Sequence, residues 1–172
     1  MDHFAKPDDE LAKAREEGTL QRNFQGYSTR AGSDLIGLGM SAISHIGSTF
    51  TQNAKSLPTY YEKLDRGDFP VVSGLEMTND DLIREYVIMR LMCDLKINKV
   101  LIDEKFGIDF DYYFSSSLTA LEDLLSVGLL IDTPTDIILT EKGRYFLRNI
   151  AMCFDAYLAK SVLDKPVFSK TL

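Results

Sequence analysis

The residue types best suited to chemistry lie near the N-terminus, where Arg22, Phe24 and Gln25 follow one another closely. A glutamine side chain offers two donors and an acceptor, which suit a carboxylate or an adenine edge. A phenyl ring beside it would cover a flat ligand, and a guanidinium group pairs well with carboxylates. A solvated glutamine and a phenylalanine in the core would give the same pattern. Arg30, in the same stretch, is interpreted as solvated.

A second candidate is the apolar segment over residues 35–44, which contains Gly37 and Gly39 and ends near Ile43. We interpret it as a buried strand that leads into a turn. Glycines in such a strand let another backbone or a ligand approach closely. Ordinary packing is the simpler explanation for the glycines, because an isolated Gly-x-Gly pattern is a weak signal.

The metal-binding residue types are few and scattered: His3, His45, Cys93 and Cys153. Their spacing matches no zinc pattern, so no metal site is predicted. Two isolated cysteines are consistent with a reducing cytosol, where free cysteines usually pack as small apolar side chains. A cytoplasmic location is therefore expected. We assign no chemical role to His3 and no catalytic role to any residue.

The composition is that of a globular protein, with 172 residues, of which 45% are hydrophobic and 26% charged. No apolar run reaches the roughly 18 residues of a membrane span, and the start has no apolar signal segment. The net charge of −7 argues against a nucleic acid or an anionic membrane as partner.

The hydrophobic pattern and the glycine and proline positions predict an α+β fold that is mainly helical. In the first part we predict a helix that starts at residues 8–10 and stops at Gly18, a long loop over 20–34, the strand over 35–44, a short strand over 46–51 and a helix over 57–64. These strands are too few to complete a sheet. Residues 1–66 are therefore interpreted as the end of a larger domain, followed by a linker over 67–77.

The second part, residues 78–172, is predicted to be a separate helical domain. Its elements are helices over 78–95, 97–106 and 112–127, a hairpin of residues 129–132 and 136–140, and a last helix over 140–158. This order is typical of a winged-helix-like domain.

Four blocks of the chain resemble the oxygen-independent coproporphyrinogen III oxidases, a radical S-adenosylmethionine family. They are residues 1–11, the Arg-Asn-Phe-Gln-Gly-Tyr block at 22–27, residues 34–44 and residues 148–155. The related haem chaperones carry an Asn-Tyr-Ala block and a Tyr-Trp signature. This chain has His-Phe-Ala at residues 3–5 and no tryptophan, so the resemblance favours the oxidases.

The resemblance implies that residues 1–66 end a radical S-adenosylmethionine barrel. The family holds a 4Fe-4S cluster with a Cys-x3-Cys-x2-Cys motif and forms a 5′-deoxyadenosyl radical from S-adenosylmethionine. The radical starts the oxidative decarboxylation of two propionates of coproporphyrinogen III, which gives protoporphyrinogen IX in haem biosynthesis. This chain lacks the motif. We therefore expect the cluster-binding N-terminal half to be its missing partner, and the chain alone to be inactive and to hold no cofactor.

The resemblance also implies roles for individual residues. Phe24 and Gln25 match positions that line the cofactor and substrate pocket, and Ile43 matches a residue that contacts S-adenosylmethionine. With Gly39, which would permit a close approach, they are the expected cofactor-binding residues. Arg22 lies inside the matching motif and is the expected substrate contact. A monomer is expected.

The alternative is a stand-alone winged-helix module that binds a protein or a nucleic acid. Winged helices contact DNA through lysines and arginines. Residues 106–141 contain neither, and they carry Asp109, Asp111, Glu122, Asp123, Asp132, Asp136 and Glu141. We therefore expect no nucleic-acid partner.

Overall fold

The computed structural model describes residues 5–23, 26–30 and 32–161 of the chain. The helices are α1 (Glu10–Glu16), α2 (Leu57–Asp65), α3 (Asn79–Asp94), α4 (Lys99–Phe106), α5 (Phe110–Tyr113), α6 (Ser115–Ser126), α7 (Leu147–Met152) and α8 (Ala156–Ser161), with a 3-10 turn at Gly143–Phe146. The strands are β1 (Gln21–Asn23), β2 (Gly26–Ser28), β3 (Ile43–Ile46), β4 (Thr49–Asn53), β5 (Val71–Glu76), β6 (Lys96–Asn98), β7 (Leu130–Asp132) and β8 (Asp136–Leu139). The fold is thus a mixture of helices and small antiparallel sheets.

The first helix follows its sequence signals. The Asp9 carboxylate accepts a hydrogen bond from the Leu11 N–H at 2.8 Å and caps α1. Gly18 has a φ of 69° just beyond the helix, a conformation that glycine adopts without strain. The predicted helix at this end of the chain is therefore confirmed.

The prediction of one long loop over residues 20–34 is wrong in its first part, because β1 and β2 pair there with Arg22 opposite Tyr27. The Asn23 side chain accepts a hydrogen bond from the Gly26 N–H at 3.2 Å. Gly26 has a φ of 135°, a backbone conformation that residues with a side chain rarely adopt. A side-chain hydrogen bond and a glycine thus stabilise a hairpin of two three-residue strands, in which Tyr27 is the typical strand residue.

The predicted buried strand over residues 35–44 is also wrong, because regular pairing begins only at Ile43. Ile36 and Leu38 are 68% and 88% exposed. The backbone of this segment is held by isolated backbone bonds, such as those between Leu35 and His45, and by the Asn53 amide, which donates to two of its glycine carbonyls at 3.3 and 2.9 Å. These bonds take the place of a strand ladder, which the apolar run alone could not reveal.

Residues 67–77, predicted as a linker, contain β5, which completes the sheet β3-β4-β5. Two strands of this sheet, β3 and β4, lie within residues 1–66, and the third lies inside the predicted linker. The predicted short strand at residues 46–51 is shifted, and β4 runs from Thr49 to Asn53. The predicted helix at 57–64 is confirmed by α2. The division of the chain into two domains stays a prediction.

The predicted helix over residues 78–95 is confirmed by α3, and so is the cap at its start. The Thr78 hydroxyl accepts from the Asp81 N–H at 3.2 Å, and the Asp81 carboxylate accepts from the Thr78 N–H at 2.8 Å. This reciprocal pair satisfies two donors at the helix start. Val87 and Leu91, one turn apart, are fully buried and fix its orientation on the core.

The elements after α3 correct three details. The second helix begins at Lys99 because residues 96–98 form β6, which pairs with β8. The third helix is divided at Phe114 into α5 and α6, and the last one is interrupted around residues 153–155. The predicted hairpin is confirmed as β7 and β8.

The main core lies between α3, the sheet β6-β8-β7 and the helices around it. Its largest fully buried side chains include Phe110, Phe114, Phe154, Leu91, Ile97 and Ile137. Of the helices described, none combines the length and the apolar character needed to cross a bilayer.

Candidate binding cleft

A cleft of about 620 Å³ is lined by residues of the hairpin β1–β2, of the strands β3 and β4 and of the helices α3 and α7. This volume lies within the roughly 300–1,000 Å³ of small-molecule sites. The wall elements come from both ends of the sequence, so the cleft exists only in the folded chain.

Three arginines from different elements line the cleft: Arg22 on β1, Arg30 after β2 and Arg148 on α7. The guanidinium carbon of Arg22 lies 5.6 Å from the centre of the Tyr27 ring, and this contact orients the side chain. Arg30 and Arg148 are exposed. Guanidinium groups in such an arrangement suit a ligand with several carboxylates.

The apolar lining of the cleft is rich in methionine. Met89 and Met92 project from α3, and Met152 comes from α7. The Arg22 N–H donates to the Met89 sulfur at 3.2 Å, so the hairpin lies directly on this lining. Methionine side chains are flexible and polarizable, and they adapt to the outline of an apolar ligand.

The hairpin is tied to α3 by one arginine and one tyrosine. The Arg90 guanidinium donates to the carbonyls of Gly18 and Leu20 at 2.7 and 2.8 Å. The Tyr27 hydroxyl donates to the Met92 carbonyl at 3.4 Å. These bonds join residues about 70 positions apart in the sequence and set the width of the cleft.

Two further polar groups line the cleft, His45 on β3 and Glu85 on α3. Burial raises the pKa of Glu85, and the charge of His45 partly offsets that effect. The imidazole of His45 stacks on Phe50 with ring centres 4.0 Å apart and planes inclined by 14°. This contact holds the imidazole in one orientation.

Arg22, predicted to contact a substrate, lines this cleft. Among the described residues, Gly39 and Ile43 do not line it. Gly39 has a φ of 99°, and its carbonyl accepts from Asn53 at 2.9 Å. Ile43 is half-buried at the start of β3. The described part of the chain therefore brings one of these three residues into the cleft.

Phe24 and Gln25 lie outside the described residues. Their predicted contact with S-adenosylmethionine, like that of Gly39 and Ile43, stays a prediction.

The residue types that could hold an iron–sulfur cluster do not converge in the described ranges. Cys93 and Cys153 are both free thiols, and burial raises the pKa of Cys93 to about 11. In the part of the chain that the structure describes, no three His, Cys, Asp or Glu side chains converge as metal ligands. A 4Fe-4S cluster needs several thiolates at one point, so the described residues do not fit it.

Several cleft residues were missed by the sequence interpretation. Arg148 stands in the last block of the family resemblance, and that position could have singled it out. Arg30 is exposed, which agrees with its interpretation as a solvated residue, and it also lines the cleft. Glu85 carries no motif, and only the tertiary arrangement places it opposite His45.

Comparison with known proteins agrees with the resemblance. The family model described as HemN C-terminal domain matches residues 77–146. The oxygen-independent coproporphyrinogen III oxidase of Salmonella typhimurium is 46% identical over 158 residues, which cover 92% of this chain and 35% of that protein. The enzyme of the same name from Pseudomonas aeruginosa is 44% identical over the whole chain and 37% of its own length.

The chain belongs to the oxygen-independent coproporphyrinogen III oxidase family. A solved member, coproporphyrinogen III oxidase (HemN) from Escherichia coli, is described as a radical SAM enzyme. It shares 45% sequence identity and superposes with a TM-score of 0.88 over 91% of this chain and 36% of its own. The matched part thus spans little more than a third of these relatives and corresponds to the C-terminal part of the family.

Proposed function

We propose that this chain forms the C-terminal part of an oxygen-independent coproporphyrinogen III oxidase and that its cleft binds one side of the tetrapyrrole substrate. The observation that carries the proposal is the joint placement of Arg22, Arg30 and Arg148 around a methionine lining. Family membership supports it independently.

Coproporphyrinogen III has the chemistry that such a cleft would recognise. Its four propionates project from a large apolar ring system. Planar guanidinium groups bind carboxylates through paired, charge-assisted hydrogen bonds. The methionines would meanwhile pack against the pyrrole rings without demanding one fixed shape. On this proposal the chain binds and orients the substrate, and Arg22 is the substrate contact that the sequence predicted.

The radical chemistry belongs to other residues of the whole enzyme. In this family a 4Fe-4S cluster and S-adenosylmethionine supply the radical. We assign no step of it to the described residues, because they offer no ligand set for the cluster. The proposal that Phe24, Gln25, Gly39 and Ile43 contact S-adenosylmethionine rests on the family resemblance alone.

We further propose that the N-terminal, cluster-binding part of the family packs against the segment around Gly37. Three large apolar side chains are exposed there: Ile36, Leu38 and Met40, at 68%, 88% and 40%. A row of exposed apolar residues is typical of an interaction surface. The relatives have the additional length for such a partner, since the matched part covers 35% of the Salmonella enzyme.

The finer fold predictions belong with this proposal. Residues 1–66 would form the end of the radical S-adenosylmethionine barrel. The sheet β6-β8-β7 with α3, α4 and α6 would be the winged-helix-like domain. The monomeric state, the cytoplasmic location and the lack of nucleic-acid binding stay predictions. Size-exclusion chromatography and a gel-shift assay would test the first and the last.

The cleft is tested by titrating the chain with coproporphyrin III, a fluorescent relative of the substrate that carries the same four carboxylates. Arg22→Met and Arg148→Met should each raise the Kd about tenfold, the value expected when one charge-assisted contact is lost. Arg66→Met is the matched control, because Arg66 directly follows α2, does not line the cleft and pairs with Glu62. Equal Kd values for all four proteins would contradict the proposed site.

A further inference from the structure

One acidic side chain in the cleft, Glu85, forms neither a hydrogen bond nor an ion pair with the part of the chain that the structure describes, although the charge of His45 acts on it. The Glu85 carboxylate forms no hydrogen bond and no ion pair with any residue in the described ranges 5–23, 26–30 and 32–161. The neighbouring acids on α3 differ: Asp80 pairs with Arg84, and Asp94 pairs with Arg90. Glu85 is therefore the described acid of α3 that lines the cleft, and its half-buried carboxylate is open to a ligand.

The local structure holds this carboxylate in place. Glu85 lies one turn before Met89, so both residues face the cleft from the same side of α3. The capping pair at Thr78 and Asp81 fixes the start of the helix. Across the cleft, the buried Nε2 atom of His45 also has no hydrogen-bond partner.

The arrangement is costly unless a ligand uses it. A partly desolvated carboxylate without a partner destabilises the folded protein, because the protein gives it fewer hydrogen bonds than water does. Burial accordingly raises the pKa of Glu85. The other charged groups that line the cleft are Arg22, Arg30, Arg148 and Asp155, and none of them forms an ion pair with Glu85.

The expected ligand offers the complementary groups. A porphyrinogen carries four pyrrole N–H groups that point toward the centre of the ring, whereas the oxidised porphyrin keeps two and presents two acceptor nitrogens. A carboxylate accepts hydrogen bonds and donates none. It therefore distinguishes the two oxidation states of the same tetracarboxylate.

Building on the proposed function, we propose that Glu85 determines the specificity of the cleft for the reduced tetrapyrrole, by accepting hydrogen bonds from its pyrrole N–H groups while the arginines hold its peripheral carboxylates. The residue is a binding group for the ring centre and takes no part in bond breaking.

The test is an anaerobic competition in which coproporphyrinogen III displaces fluorescent coproporphyrin III from the chain. The unchanged protein should bind the porphyrinogen about tenfold more tightly than the porphyrin, as expected for charge-assisted hydrogen bonds. Glu85→Gln keeps the size of the side chain but removes the charge and adds donors. It should bring the ratio of the two Kd values close to one, while Glu104→Gln, an exposed change on α4, should leave the ratio unaltered.

A second readout separates recognition from a structural role. Removing an unpaired, desolvated charge should raise the urea midpoint of Glu85→Gln, whereas a residue that supports the fold would lower it. If Glu85→Gln keeps the preference for the porphyrinogen, the inference is overturned and the arginine site stands. If the unchanged chain binds neither tetrapyrrole, the proposed function fails and the inference fails with it.

Discussion

Lys99 offers a sharp test of how the C-terminal part is held together. Its side chain is 5% exposed, and its Nζ atom lies 2.7 Å from both Asp111 and Asp132. These contacts join α4 to α5 and β7. Burial alone would lower the pKa of Lys99, but the hydrogen bonds to the two aspartates outweigh it and raise the pKa. Lys99→Met keeps most of the buried stem and removes the ammonium group, with its charge and its bonds to the two aspartates.

The expected loss follows from the exposure of the two partners. The Asp111 side chain is 58% exposed, so its contact is worth about 0.5 kcal/mol. The Asp132 side chain is 31% exposed, and a charge-assisted bond there contributes about 2 kcal/mol. We expect Lys99→Met to lower the free energy of unfolding by about 2.5 kcal/mol, which corresponds to a midpoint shift of about 1 M urea.

Urea unfolding of the chain, followed by circular dichroism, measures this difference. Lys142→Met, a change at an exposed lysine, should stay within about 0.5 kcal/mol of the unchanged protein. Because the folded pKa of Lys99 is raised, its contribution is complete below pH 10.5 and declines above it. The variant should therefore approach the unchanged protein in strong base. A Lys99→Met protein as stable as Lys142→Met at neutral pH would refute the reasoning.

Three further predictions concern backbone packing, attachment of the hairpin and thiol reactivity. A β-carbon on Gly143 would overlap the Leu129 carbonyl oxygen, so Gly143→Ala should cost about 3 kcal/mol in urea unfolding, and a loss below about 1 kcal/mol would contradict that contact. Arg90→Met removes the hydrogen bond to the Leu20 carbonyl, so amide hydrogen exchange in β1 should become about tenfold faster while exchange in α6 stays unchanged. Equal exchange rates in β1 of the variant and the unchanged protein would disprove the anchoring role of Arg90. Burial raises the pKa of Cys93 to about 11, so at pH 8 about one Cys93 thiol in a thousand is ionised. In a Cys153→Ser variant, a disulfide reagent should therefore label Cys93 about a hundredfold more slowly in the folded protein than after unfolding. Rapid labelling of the folded protein would argue against the burial of Cys93.

The sequence predicted the elements whose signals are local. The capping residues Thr78 and Asp81 and the buried stripe of α3 define that helix without help from the rest of the chain. The hairpin of β7 and β8 follows from its turn residues in the same way. The family resemblance placed Arg22 in a binding role, and the structure places it in the cleft.

The sequence could not show which long-range contacts replace local ones. The segment over residues 35–44 has the apolar character of a strand, but the Asn53 amide and isolated backbone bonds hold it instead of a regular ladder. In the same way, residues 71–76 were predicted to lie in a linker, because only their pairing with β4 makes them a strand. Strand pairing depends on partners elsewhere in the chain, and a short stretch of sequence does not show which segment it will pair with.

The amino-acid sequence by itself determined the family, the α3 helix, the C-terminal hairpin and the residue types available for carboxylate binding. The tertiary structure alone decided that Arg22, Arg148 and Glu85 face one cleft, because they lie on three elements far apart in the chain. Helix periodicity and capping are local properties that a sequence carries directly. The convergence of side chains depends on how elements pack, and packing is settled by the whole fold at once.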